Sequence, residues 1–299
     1  MNVLSVLLRR NVKLFFRDKG MFFTALITPL ILLVLYATFL GNVYRDSFLL
    51  TVPEGMAVAD SLLNGFVGGQ LISSILAVSC VTVAFCSNML MVQDKVTGAR
   101  SDLTVSPVKP SLLAVSYFGA TWLSTLLICF VAAVACLVYV ACVGWYMTLG
   151  EVLLLLLDVL LLSLFGTALS SVINYFLSTQ GQISAVGSII SSVYGFICGA
   201  YMPISQFPEG LQKAIAFLPG TYGTALMRNH ALQGVAVAME EEGLPQEAIT
   251  AMLDAVDCRV YFFDTVVPVP VMYGILLGSI ALLLGIYILL NYRRIRKMQ

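Results

Sequence analysis

Apolar positions in this chain come in long unbroken blocks rather than in a short repeat. Six blocks stand out, at residues 21–40, 66–92, 112–143, 152–177, 183–201 and 267–290. Each is close to the ~20 residues with which a helix crosses the hydrocarbon core of a bilayer. Helices are the expected form, because inside lipid every backbone N–H and C=O must find a partner within the segment. A membrane β-barrel would alternate apolar and polar residues along each strand, and these blocks do not. The first block follows basic residues, as a signal peptide would, but it is longer than a typical signal core and no A-x-A-like site follows it. It reads as a retained span. The pattern therefore predicts an all-α integral membrane protein with six transmembrane helices.

Between the blocks the chain is polar in four places. Residues 1–20 carry Arg9, Arg10, Lys13, Arg17 and Lys19. On a helical wheel Arg9, Arg10, Lys13 and Arg17 share one arc and Leu4, Leu7, Leu8, Val12, Leu14, Phe15 and Phe16 fill most of the rest, the pattern of an amphipathic helix lying flat on a leaflet. The segment 93–110 mixes charges with Gly98, Ser106-Pro107 and Lys109-Pro110. It has room for one or two helical turns before Pro107, whose ring disfavours helix at the residue before it; an ordinary polar loop is the alternative. In 203–234, Pro203, Pro208 and Pro219 break an only moderately polar stretch. Two apolar helical pieces, around 209–217 and 220–232, read as re-entrant half-helices, each too short to span. The stretch 235–266 is acidic and solvated, with a small helix predicted after Pro245. No internal repeat and no inverted symmetry is visible.

Composition agrees. The 299 residues are 60% hydrophobic and 11% charged, with a mean hydropathy of +0.95. Soluble domains carry roughly 25% charged residues, so a water-soluble globule is excluded, as is disorder. The 16 basic and 16 acidic residues balance, and nothing points to nucleic acid. Their placement does carry information. With six spans, twelve of the basic residues fall on one side: the five near the N-terminus, Lys95, Arg100 and Lys109, and Arg293, Arg294, Arg296 and Lys297. The other side holds Arg45, Lys213, Arg228 and Arg259 with twelve of the sixteen acids, Glu240, Glu241 and Glu242 among them. The positive-inside rule then puts both termini in the cytoplasm of a multi-pass plasma-membrane protein. An odd number of spans would separate the two basic termini.

Little of the chain suggests bond-making chemistry. There is no G-x-x-x-x-G-K-[ST], no G-x-S-x-G and no H-E-x-x-H. The single histidine, His230, is expected as a polar tip at the membrane interface, and Glu240–Glu242 as a solvated face. Six of the seven cysteines lie in apolar runs and read as small hydrophobic residues; Cys258 is in the polar outer segment. Asp158 is the acid inside a span, eight residues past Gly150, hence about 12 Å in from the outer end. Intramembrane carboxylates are costly and mark functional sites by default, so Asp158 is a candidate pathway residue; pairing within the bundle is the alternative. No catalytic, cofactor-binding or metal-binding constellation is expected.

In this order the pieces resemble the membrane subunit of a type-2 ATP-binding-cassette exporter. FFRDKGMFFTALITPLILLVLY after the basic start is similar to that family's connecting helix and first span. QDKVTGARSDLTVSPVKPSLLAVSYFGA is similar to its cytoplasmic segment, although the family often has Glu where this chain has Gln93 or Asp94. GAYMPISQFPEGLQKAIAFLPGTYGTALMRNHALQG is similar to its re-entrant half-helices, and 235–266 looks like an external insertion. The resemblance implies a translocation pathway formed by two copies, or by this chain and a related permease. ATP and Mg would sit on separate ATP-binding-cassette subunits. Gln93, Asp94, Thr97, Gly98, Ser101 and Asp102 would couple to the ATPase, and Pro203, Pro208 and Pro219 would shape the outer gate. The rival reading is an ATPase-independent secondary transporter or channel-like protein, which would place charged residues along several spans.

Overall fold

The computed structural model describes residues 2–51, 58–105, 108–263 and 265–298. The chain is almost wholly α-helical. Helix α1 (Val3–Arg17) lies beside the bundle, and α2 (Lys19–Leu35) starts at once under the cap of Asp18, whose carboxylate accepts the Met21 amide. A π-helical turn, Tyr36–Leu40, joins α2 to α3 (Gly41–Thr51), so the helix of the first apolar block runs on well past its expected end at residue 40. Then come α4 (Asp60–Val96), the short α5 (Ala99–Val105), α6 (Pro110–Val143), α7 (Leu149–Phe176) and α8 (Gln180–Ile197). After a 3-10 turn at Ile204–Gln206 follow α9 (Glu209–Ile215), α10 (Pro219–Glu241) and α11 (Gln246–Ala255). A two-rung antiparallel ladder pairs Tyr261 with Val266 and Phe262 with Thr265 before α12 (Val269–Met298).

Five helices among the described residues are long and apolar enough to cross a membrane: 19–46, α4, α6, α7 and 269–293 within α12. The fifth block of the sequence gives α8, whose 18 residues include Gln180, Gln182 and four serines that dilute its apolar face. Polar caps set the boundaries. Thr148 and Glu151 form a reciprocal capping box on α7, and Thr179 and Gln182 form another on α8. Proline opens each piece of the 203–255 segment: Pro203 caps the 3-10 turn, Pro208 caps α9, Pro219 is the first residue of α10 and Pro245 caps α11.

Helix α4 is the axis. Of its most apolar window 94% is buried, against 50% for α7 and 17–22% for α2, α6 and α12. It packs against α2, α6, α7, α8 and α10. Small residues make this possible, as in membrane bundles generally. A Cβ on Gly69 would stand 2.7 Å from the Ala231 carbonyl of α10, so only glycine admits that approach. Between spans, Asn88 Nδ2 donates to Ser170 Oγ and Ser171 Oγ, both at 3.0 Å, which ties α4 to α7 where hydrocarbon offers no partner.

Helix α10 departs from the sequence expectation. A half-helix around 220–232 becomes a helix of 23 residues, buried along 220–228 and at His230–Leu232, and packed on α4, α7 and α12. Its covered face carries Gly220, Gly223 and Ala225 beside Leu226 and Met227, small enough for close packing and apolar enough to be covered. Glu240, Glu241 and Glu242 are exposed at its far end, as expected.

Candidate functional site

Two ends of the bundle carry the polar groups, with one cluster buried between them. At the end where α1 lies, α4 finishes at Val96 and Thr97 caps it through the Gln93 carbonyl. Gly98 follows with φ +83°, the left-handed turn that favours glycine, and α5 starts from it, the Ser101 and Asp102 amides donating to the Gly98 carbonyl. The helical turns expected before Pro107 are therefore present as α5; Ser106 and Pro107 lie outside the described residues.

The six residues assigned to coupling do not form one row. Asp94 is 6% exposed and faces inward. Arg10 Nη1 donates to its Oδ2 at 2.7 Å, Arg10 Nη2 to its Oδ1 at 3.3 Å, and Tyr117 Oη to its Oδ2 at 2.5 Å. Hydrogen bonding to Asp94 raises Arg10 above its ordinary value, outweighing burial. Asp94 therefore locks α1 and α6 onto α4. Thr97, Ser101 and Asp102 are exposed and Gln93 is half-buried. A continuous i, i+4 spacing from Asp94 fails because the left-handed Gly98 turns the chain between the two helices.

Helix α1 does not rest on lipid alone. Leu7, Asn11 and Phe15, one i, i+4, i+8 row, are buried against the bundle, and the Asn11 amide reaches Ser116 Oγ at 3.4 Å. Arg9, Lys13 and Arg17 stay exposed. Between α1 and the end of α4 opens a groove of about 420 Å³ lined by Arg10, Arg17, Asp18, Gln93, Asp94 and Thr97, with apolar walls. Nearby, Lys95 Nζ donates to the carbonyls of Asn174, Tyr175 and Leu177 at 2.8–3.0 Å and so caps the C-terminus of α7.

The buried cluster centres on Asp158, 1% exposed. Its Oδ2 stands 2.6 Å from His230 Nδ1 of α10, and its Oδ1 accepts the Tyr273 hydroxyl of α12 at 2.7 Å. The His230 and Tyr273 rings stack at 6.3 Å. His230 is only 5% exposed, which overturns the expectation of an interfacial polar tip. A carboxylate left alone at this depth would be costly, and the imidazole and phenol supply the partners. The pairing joins residues 72 and 115 positions apart, a spacing no local motif reports.

At the opposite end Pro203 is buried, Pro219 half-buried and Pro208 exposed. Arg228, 1% exposed, donates through Nη2 to the Gly199 carbonyl and lies 3.4 Å from Asp257 Oδ2. Asp257 also accepts the amides of Ile204, at 2.6 Å, and Ser205, at 3.3 Å. Burial pushes the Asp257 carboxyl up, with Arg228 and those two amides opposing. The pair fastens the chain after α11 to the turn after α8. Although it lies in the polar outer segment, Cys258 is only 3% exposed, and burial pushes its thiol up to about 12. Among the described residues no group of three or more His, Cys, Asp or Glu side chains is placed to hold a metal ion.

These features define a multi-pass helical membrane protein, with an exposed short helix and a groove at one end and no nucleotide-binding loop of its own. Residues 2–231 match the ABC-2 type transporter family, and the chain belongs to it. It is the transmembrane component of an ABC-2 type transporter, which implies ATP-driven transport with a partner ATPase. No curated protein matches the chain.

Proposed function

We propose that this chain is the permease half of an exporter, six spans with both termini cytoplasmic, working as a dimer with itself or a related permease in the plasma membrane. Charge placement supports the orientation: α1, α5 and the C-terminus all sit at the end that collects twelve of the sixteen basic residues. Helix α8 supplies the sixth span; 18 residues rise about 27 Å, close to the ~30 Å of the hydrocarbon core. Residues 1–20 serve as the connecting helix, 203–234 as the re-entrant pair with Pro203, Pro208 and Pro219 shaping the outer gate, and 235–266 as an external insertion. ATP and Mg bind the partner subunit.

The observation that carries this reading is the exposed α5 beside the α1–α4 groove. The outward groups Gln93, Thr97, Ser101 and Asp102 form the docking surface, and Gly98 sets the turn between them. Asp94 acts from behind, passing displacement of α5 to α1 through Arg10 and to α6 through Tyr117. The buried Asp158 lies in the wall of the pathway and positions α10 rather than standing open to cargo. The test is co-purification of the full chain with its ATPase after Ser101→Trp or Asp102→Arg, both at exposed positions. Loss of the ATPase from a normally folded permease supports docking at α5, whereas full retention with both variants refutes it.

A further inference from the structure

The α11 end of the bundle contains a cavity of about 340 Å³; of its described lining, Pro203 alone has been given a role above. Its floor is formed by Phe48, Phe66 and Met252, which are 2–3% exposed. Its mouth carries Phe39 and Phe196, 62% and 47% exposed, on the outer surface of the bundle. Among the described residues lining it none is charged. Tyr44, Tyr201 and Gln206 bring the polar side-chain groups; the rest of the described lining is hydrocarbon and ring faces suited to an apolar guest.

The walls are fixed rather than loose. Phe48 and Phe66 pack edge to face at 5.4 Å on the floor, and Phe196 and Tyr201 at 5.1 Å at the mouth. Such pairs hold their rings in place, as ligand pockets generally do. A second, independent feature lies on the same wall. The π-helical turn Tyr36–Leu40, where the Gly41 amide reaches back to the Tyr36 carbonyl, brings Phe39 and Leu40 to the cavity. π-Turns inside α-helices are frequent at functional sites. Helix α11 closes the opposite side with Met252, Ala255 and Val256, which gives a local role to the segment after α10.

We propose that this cavity is a binding site for the hydrocarbon part of a molecule without net charge dissolved in the bilayer, entered sideways past Phe39 and Phe196. The leaflet it faces, the outer one, rests on the orientation proposed above; the cavity itself does not. Ring-bearing hydrophobic compounds and lipid acyl chains share this chemistry.

The test uses the full chain in phospholipid nanodiscs and two photoreactive probes: trifluoromethyl-(iodophenyl)diazirine, a small uncharged aryl compound, and a phosphatidylcholine with a diazirine at the end of one acyl chain. Labelled residues are mapped by mass spectrometry. The expected result is labelling of Phe48, Phe66 or Met252 by at least one probe. Ala255→Trp and Gln206→Trp, at exposed rim positions, each lower it about tenfold, equivalent to ~1.4 kcal/mol of binding. Labelling of Ile31 and Val34, 51% and 59% exposed on α2, stays unchanged as the internal control. Floor labelling by the aryl probe alone assigns the site to free hydrophobic molecules, and labelling by the phospholipid assigns it to lipid chains. A floor left unlabelled by both probes, or labelled equally in both tryptophan variants, overturns the proposal. No ATPase takes part, so failure here is separate from failure of docking at α5.

Discussion

Removing His230 should be among the most damaging single changes in the chain. The imidazole is the partner of Asp158 Oδ2 at 2.6 Å, and the carboxylate is 1% exposed. His230→Leu leaves that oxygen facing apolar side chains. Stranding one member of a buried pair costs about 3–5 kcal/mol, whereas an ordinary interhelical hydrogen bond in a membrane protein is worth only ~0.6 and at most about 1.7 kcal/mol. Tyr273→Phe removes one hydrogen bond and keeps the ring, so about 1–2 kcal/mol is expected. The decisive variant is the double change Asp158→Leu with His230→Leu. It removes both polar groups together, and replacing a buried pair by apolar residues is often neutral. The double variant should therefore be more stable than His230→Leu alone, with a coupling energy above about 1.7 kcal/mol. Graded SDS unfolding of the purified permease in mixed micelles, followed by the fluorescence of Trp122 and Trp145, measures all four corners of the cycle. Single-variant losses that simply add in the double variant would refute the idea that this pair holds α10 to α7.

Other expectations follow from the two ends of the bundle. Arg10→Ala should free α1, at a cost of about 1.5 kcal/mol, the lower range for a hydrogen bond to a charged group because the Arg10 side chain is 31% exposed; trypsin should then cut faster at Lys13, and an unchanged rate would leave the attachment to the buried row Leu7, Asn11 and Phe15. Cys258 should resist an impermeant maleimide near neutral pH, being buried with its thiol pushed up to about 12, while Glu241→Cys, at an exposed position, should react from outside intact cells; reaction only from the cytoplasmic side would reverse the orientation. Gly98→Ala should cost about 1–2 kcal/mol by placing a Cβ in a left-handed turn, measurable as a lower melting temperature without the partner present; unchanged stability in that variant would show that the turn is not held.

Five of the six expected spans were legible because each is a single long apolar block, and a bilayer imposes one length on such blocks. Their ends were less so. The first helix runs past Leu40 through a π turn, which has no signature in hydropathy, and α4 begins at Asp60 because a helix can extend into water once its core is fixed. The segment 93–110 showed its helix through Gly98 and the prolines, but nothing in the sequence told that the left-handed turn at Gly98 divides the six coupling residues between two helices. Asp158 was visible as an oddity in an apolar run. Its partner was not, since His230 and Tyr273 come from helices far along the chain and only the packing of α10 and α12 on α7 brings them together. Asn88 was overlooked for the opposite reason: one amide in a long apolar block barely lowers its hydropathy, yet it bonds Ser170 and Ser171 across the core.

Helix α4 joins the two ends of the molecule and limits how they can communicate. From Phe66 on the cavity floor to Asp94 under α1 the helix rises about 42 Å. Along nearly all of that length it is buried, with Gly69 seated against α10, Asn88 bonded to α7 and Asp94 paired to α1. A helix gripped at three depths by different neighbours cannot slide past them without breaking those contacts, since packed interfaces tolerate discrete rearrangement rather than continuous deformation. A push on α5 from an ATPase would therefore move α4 together with α1, α7 and α10 as one body. The parts free to respond differently are those that pack least on α4: α11 and α12. Of these, α11 lines the apolar cavity, facing α3, whose Phe48 rests on Phe66 of α4. A rigid α4 carrying α3, with α11 more loosely held, would change the width of that cavity whenever the far end is driven. A disulfide between Phe48→Cys and Met252→Cys, whose parent side chains share the floor, should then block cargo-stimulated ATPase activity while leaving ATPase binding intact. Undiminished stimulation in the crosslinked protein would show that the cavity does not take part in the transport cycle.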